Sequence, residues 1–121
     1  MMSPALKRIF AKFFRTASGR EPVRDWLLEL DPGDRKTVGT DIKDVEFRWP
    51  LGKPLADSLG RGLWEVRSTI RDGIARVIFY VPGNDMILLH GFVKKTRKTP
   101  QPDLDLAFKR MKDHMKGEGS W

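Results

Sequence analysis

Cationic side chains concentrate in one third of this chain. Between Arg61 and Thr99, eight basic residues (Arg61, Arg67, Arg71, Arg76, Lys94, Lys95, Arg97, Lys98) stand against three acids, Glu65, Asp72 and Asp85. That stretch carries +5 of a formal net +7. A basic bias focused on one segment suits a polyanion partner, most often a nucleic acid. A merely solvated face fits the charge count equally well. Guanidinium groups bind phosphate through a fixed fork of N–H donors, and aromatic side chains stack on unpaired bases. The run Lys94-Lys95-Thr96-Arg97-Lys98 is dense enough to grip a phosphate backbone, although charge runs are usually solvated loops. Tyr80 could stack on a base or position a phosphate. His90 titrates near neutral pH and could move a proton; taken alone, such a histidine is more often structural.

Other chemistries are excluded. Cysteine is absent, which removes disulfides, thiolate zinc sites and thiol nucleophiles. Two histidines, His90 and His114, cannot build a His-rich metal site. No Ser/His/Asp arrangement, acidic dyad, Walker loop or dinucleotide fingerprint occurs, and Gly60-Arg61-Gly62 is too short for a phosphate loop. With 121 residues, 40% hydrophobic and 32% charged, the chain reads as one compact domain over 1–121, too apolar for disorder. No run approaches the roughly 18 apolar residues of a membrane helix. The N-terminus lacks a signal peptide's apolar stretch, so a cytoplasmic protein is expected.

The elements that would position these residues follow from period and punctuation. Residues 6–15 are β-prone and predict an opening strand. Pro22 suits the first turn of a helix, with Val23, Trp26, Leu27 and Leu30 as its apolar stripe. Asp31-Pro32 predicts a second helix with Asp31 as N-cap and Val38, Ile42 and Val45 buried, stopped by Trp49-Pro50. The Gly and Pro residues of 51–61 indicate loop. Three strands then follow, 62–70, 74–81 and 86–93, joined by tight turns at Arg71-Asp72-Gly73 and Pro82-Gly83-Asn84-Asp85 into an antiparallel meander. A last helix is expected over about 100–115, with Leu104, Ala107, Phe108, Met111 and Met115 as its stripe and 116–121 as a frayed tail. The class is α+β: a small antiparallel sheet of the N-terminal strand plus the meander, an N-terminal helical hairpin and a C-terminal helix, with the helices on one face.

Successive strand residues point to opposite faces. Strict alternation puts Trp64, Val66, Ser68 and Ile70 with Ala75, Val77, Phe79 and Val81, and with Ile87, Leu89, Gly91 and Val93. The other face then holds Arg67, Arg76, His90 and Lys94 away from the helices, unless a bulge changes the parity. Arg67 has a second reading, as the partner of Glu65 or of an acid on a neighbouring strand.

Four ordered blocks match a known pattern: Gly62-Leu63-Trp64-Glu65-Val66-Arg67, Ala75 to Tyr80, Leu88 to Thr96, and Thr99-Pro100 before a helix carrying Ala107 and Arg110. In these the chain resembles the RelE/ParE toxin superfamily, and within it the HigB-like, phage-derived branch. The resemblance implies a toxin of a type II toxin–antitoxin pair, with a cognate antitoxin that is a helix-turn-helix protein. It implies an endoribonuclease that cuts messenger RNA on the ribosome and so inhibits translation. The 2′-hydroxyl attacks the adjacent phosphate, with neither metal nor other cofactor. The matching positions imply Arg76 on the phosphorane charge, Arg67 on the phosphate, Lys94 or Lys95 activating the 2′-hydroxyl or moving protons, and His90 as acid or orienter. Arg61, Arg71, Tyr80, Arg97 and Lys98 become candidate RNA contacts. Ala75 stands where relatives often carry a tyrosine, and Tyr80 is the only tyrosine. The same scaffold also serves toxins that poison DNA gyrase without cutting RNA, and a non-catalytic nucleic-acid-binding module is a third reading. The +7 charge predicts an acidic antitoxin surface or an extended acidic segment.

Overall fold

A computed structural model describes residues 6–50, 56–94 and 98–118. Strand β1 (Phe10–Phe13) is followed by helices α1 (Pro22–Glu29) and α2 (Pro32–Arg48). Strands β2 (Ala56–Gly60), β3 (Leu63–Ile70), β4 (Gly73–Tyr80) and β5 (Asp85–Lys94) come next, and helix α3 (Gln101–Glu118) closes the order. Both early helices start on the prolines expected to start them. The carbonyls left open at the end of α1 are taken by Arg35, whose guanidinium donates to Leu27, Leu28 and Leu30 at 3.0–3.1 Å. Asp31 precedes α2 but makes no side-chain cap. Its carboxylate instead pairs with Arg71 in the β3–β4 turn.

The α+β class, the helices at both ends and the meander are as expected, and the details of the sheet differ. It has five strands in the order β1-β5-β4-β3-β2. The additional β2 pairs antiparallel with β3 and lies within the stretch read as loop. Strand β1 is shorter than expected and runs parallel to β5, so the sheet is mixed rather than antiparallel throughout. Helix α3 continues past Met115, which is exposed, into the expected tail.

The helices occupy both faces rather than one. Val23 of α1 and Val38, Ile42 and Val45 of α2 pack on Val66, Val77, Phe79, Met86 and Leu88. On the opposite face, Ala107 and Met111 of α3 meet Leu63, Ile78, Tyr80, Ile87, Leu89 and Phe92. A bulge in β5 makes this possible. Ile78 pairs with His90 but Phe79 pairs with Leu88, so Leu89 is an extra residue. Leu89 and His90 therefore share a face, and the parity of β5 reverses across them. Ile87 and Leu89 turn towards α3, whereas Gly91 and Val93 stay on the α1 side, correcting the strict alternation expected above. Gly91 admits a close approach: a Cβ there would lie 2.3 Å from Cε3 of Trp26.

The outer edge of β1 is tied to α2 at its start. The Ala11 N–H donates to Oε2 of the buried Glu46 at 2.7 Å, and the Arg8 and Ile9 N–H groups donate to its carbonyl. Lys7 neutralises the carboxylate at 3.2 Å. This occupies one edge donor that could otherwise template strand addition. Among the described residues no helix is long and apolar enough to cross a membrane.

Candidate functional site

The α3-facing side of β3, β4 and β5 forms a grid in which register and alternation set every position. Glu65, Ile78 and His90 make one row across the strands, Arg67, Arg76 and Phe92 the next, and Thr69, Ile74 and Lys94 the third. Neighbouring strands stand about 4.8 Å apart and successive rows about 6.8 Å apart. Arg67, Arg76, His90 and Lys94 thus share one face. That face is not open, because α3 and the approach to it cover part of the grid.

At its centre, charge is compensated. Glu65 is fully buried and accepts from Arg67 Nε at 2.8 Å and from the Thr99 hydroxyl. Arg76 is fully buried too; its Nη1 donates to Thr99 Oγ1 at 3.2 Å and lies 3.8 Å from Glu65 Oε1. Arg67, with a third of its side chain exposed, also faces Asp57 of β2 at 3.8 Å. Two acids therefore answer two arginines, and the reading of Arg67 as a partner of Glu65 and of a neighbouring-strand acid describes its contacts. Burial pulls the Arg76 guanidinium below its usual pKa; Glu65 raises it and Arg67 lowers it again. Arg76 has no surface for a phosphate to touch in this arrangement, whereas Arg67 does.

His90 lies one row away, against α3. Its Nε2 is 2.6 Å from Asp103 Oδ1, and its ring stacks on Phe92 at 5.2 Å between centroids. Burial pushes its pKa down; Asp103 raises it and the Arg110 charge lowers it. Arg110 is itself held by donating to the carbonyl of the bulged Leu89 at 2.8 Å.

Cations at the rim have different anchors. Arg61 adopts φ 58° between Gly60 and Gly62, both also at positive φ, and the turn sets its guanidinium 5.0 Å over the Phe108 ring. Lys94 and Lys98 are exposed at the end of β5 and before α3. Lys95 and Arg97 lie outside the described residues. The structure does not bring Arg71 or Tyr80 to this group. Arg71 sits at the far turn with Asp31, and Tyr80 is buried beneath α3 with its hydroxyl on His114 Nδ1, leaving no open ring face for a base.

Asp57, Thr99 and Asp103 are the residues that sequence reasoning missed. Asp103 carried one signal, an acid in the first turn of a helix. Asp57 fell in the presumed loop, and nothing local marks Thr99 as a partner of Arg76. Among the described residues no group of three His, Cys, Asp or Glu side chains could hold a metal ion.

A family model, phage derived protein Gp49-like (DUF891), matches residues 25–112. The chain belongs to the Gp49-like family. The match runs from α1 into α3 and includes Asp57, Glu65, Arg67, Arg76, His90, Lys94, Thr99, Asp103 and Arg110. The Gp49-like family is related to the RelE/HigB-like toxins, and membership is consistent with a toxin of a toxin–antitoxin pair that has an antitoxin partner. No curated protein matches the chain.

Proposed function

We propose that this Gp49-like protein is a HigB-like type II toxin that cleaves messenger RNA on the ribosome and so stops translation in the cytoplasm. The observation that carries this reading is a partly exposed arginine, Arg67, fixed from behind by buried Glu65 and sharing a sheet face with His90 and Lys94. An immobilised guanidinium presents its fork to a phosphate at little further ordering cost. The 2′-hydroxyl attacks the neighbouring phosphorus and the 5′-oxygen leaves. Arg67 binds the phosphate oxygens as charge grows on them, the stage at which fixed donors contribute most. Exposed Lys94 lies at the same face, where its ammonium favours the ionised 2′-oxygen. Arg76 acts from beneath: it holds Glu65 and Thr99 and supports the orientation of Arg67. Lys98 and Arg61 extend the cationic rim along the message. Lys95 and Arg97 belong to the same basic segment and complete the proposed RNA-contacting set.

Purified protein added to ribosomes programmed with a defined message tests this. New 5′-hydroxyl ends are expected with the wild type, and Arg67→Ala should slow their appearance on the order of 10²-fold. Intact message together with inhibited gyrase supercoiling would replace this reading with that of a non-cleaving toxin. Salt-dependent RNA binding without either effect would leave a binding module.

A further inference from the structure

We infer that Asp103 is a positioning residue that fixes His90 as the general base taking the proton from the attacking 2′-hydroxyl; this rests on the RNA cleavage proposed above. His90 Nε2 and Asp103 Oδ1 are 2.6 Å apart, and each side chain keeps a little surface, 15% and 19%. A carboxylate accepts only, so Nε2 carries the proton and the lone pair is at Nδ1. Ring rotation is opposed by the stack on Phe92. Regular register with β4 puts His90 on the Arg67 face, Ile78 pairing with His90 and Arg76 with Phe92, and Arg110 clamps the adjacent bulge through the Leu89 carbonyl. Asp103 stands in the first turn of α3, where the helix end favours the carboxylate.

Among the described residues, the charged groups that act on His90 are both on α3. Asp103 favours the imidazolium and Arg110 disfavours it. Its register partner on β4, Ile78, and its stacking partner on β5, Phe92, are uncharged. Burial adds to the Arg110 effect, so the imidazole is neutral and able to accept a proton near pH 7. In the step, the 2′-oxygen bonds to phosphorus as its proton passes to His90 Nδ1. The bond from phosphorus to the 5′-oxygen breaks, and that oxygen takes a proton from water. The products are a 2′,3′-cyclic phosphate and a 5′-hydroxyl.

Single-turnover cleavage of a ribosome-bound message, followed from about pH 5 to 8 where a histidine titrates, reads this directly. Wild-type cleavage should fall on the acid side. Asp103→Asn should lower the neutral rate roughly 10- to 100-fold and move the acid limb to lower pH, because the group that raises the His90 pKa is gone. Asp103→Glu should restore part of the rate. Nitrogen NMR of the imidazoles, with only His90 and His114 to assign, should show His90 protonated at Nε2 in the wild type and not so fixed in Asp103→Asn. A purely structural Asp103 would lower the melting temperature but leave the acid limb in place, and that result overturns the inference. So does protonation at Nδ1 in the wild type. A wild type that never cuts removes the proposed function and the base with it, whereas a cutting wild type whose limb Asp103→Asn does not move removes only the pairing.

Discussion

Arg76 and Glu65 form an ion pair without exposed surface, and the energetic consequence is specific. Removing one partner of a buried pair leaves an uncompensated charge and costs about 3–5 kcal/mol. Arg76→Met leaves Glu65 with the Thr99 hydroxyl and Arg67, so its cost belongs near the lower end, about 3 kcal/mol. Glu65→Leu deprives Arg76, Arg67 and Thr99 together and belongs near the upper end, about 5 kcal/mol. At this chain length even the smaller cost lowers the melting temperature by roughly 10 °C. Against a total stability of about 5–15 kcal/mol, either is a severe lesion. The double variant Glu65→Leu/Arg76→Met loses both charges at once. What remains is a buried Thr99 hydroxyl without an acceptor and a less ordered Arg67, a deficit of about 1–2 kcal/mol. The double variant should therefore be more stable than either single, with a coupling of about 6 kcal/mol from these losses. Urea unfolding of all four proteins, with a common slope, measures this. Additive losses, with the double variant the least stable, would refute the buried network. A consequence for function follows: lost activity in Arg76→Ala reports folding as much as chemistry, and Arg67 is the better probe.

Other predictions follow from single contacts. Gly91→Ala places a Cβ 2.3–2.8 Å from three atoms of the Trp26 ring, so it should cost about 2–3 kcal/mol; unchanged stability would show that α1 does not pack on β5 this closely. Glu46→Ala strips the acceptor from the Ala11 N–H and should cost about 1–3 kcal/mol in urea unfolding. It should also free part of the β1 edge, so that light scattering detects more concentration-dependent association than for the wild type; equal association would contradict this. Affinity for the antitoxin should fall steeply as salt rises; a salt-independent complex would place the interface away from the basic surface.

Much of the scaffold was legible because its signals are local. Pro22 and Pro32 start helices where their missing N–H costs nothing, and the Asp72-Gly73 and Gly83-Asn84 turns punctuate the meander. The remainder depends on contacts between distant residues. Strand β2, Ala56-Asp57-Ser58-Leu59-Gly60, has no β-branched residue and little alternation, and only pairing with β3 makes it extended. The Leu89 bulge was invisible because Met86-Ile87-Leu88-Leu89 is apolar throughout and satisfies either parity. With the bulge went the choice of face for α3 and the prospect of an open basic surface. Placing Arg67, Arg76, His90 and Lys94 on one face needed only the period of two, which holds on the His90 side of the bulge. That Arg76 is buried by Thr99 and Glu65 needed the tertiary structure.

Whether Arg67 grips the scissile phosphate is decided by inducible expression in a bacterium, wild type beside Arg67→Ala, with the 5′ ends of cellular messages mapped at matched levels of soluble protein. The wild type should arrest growth and leave new cuts in frame with translated codons, and Arg67→Ala should do neither. Arrest by both proteins with no new message ends would contradict this.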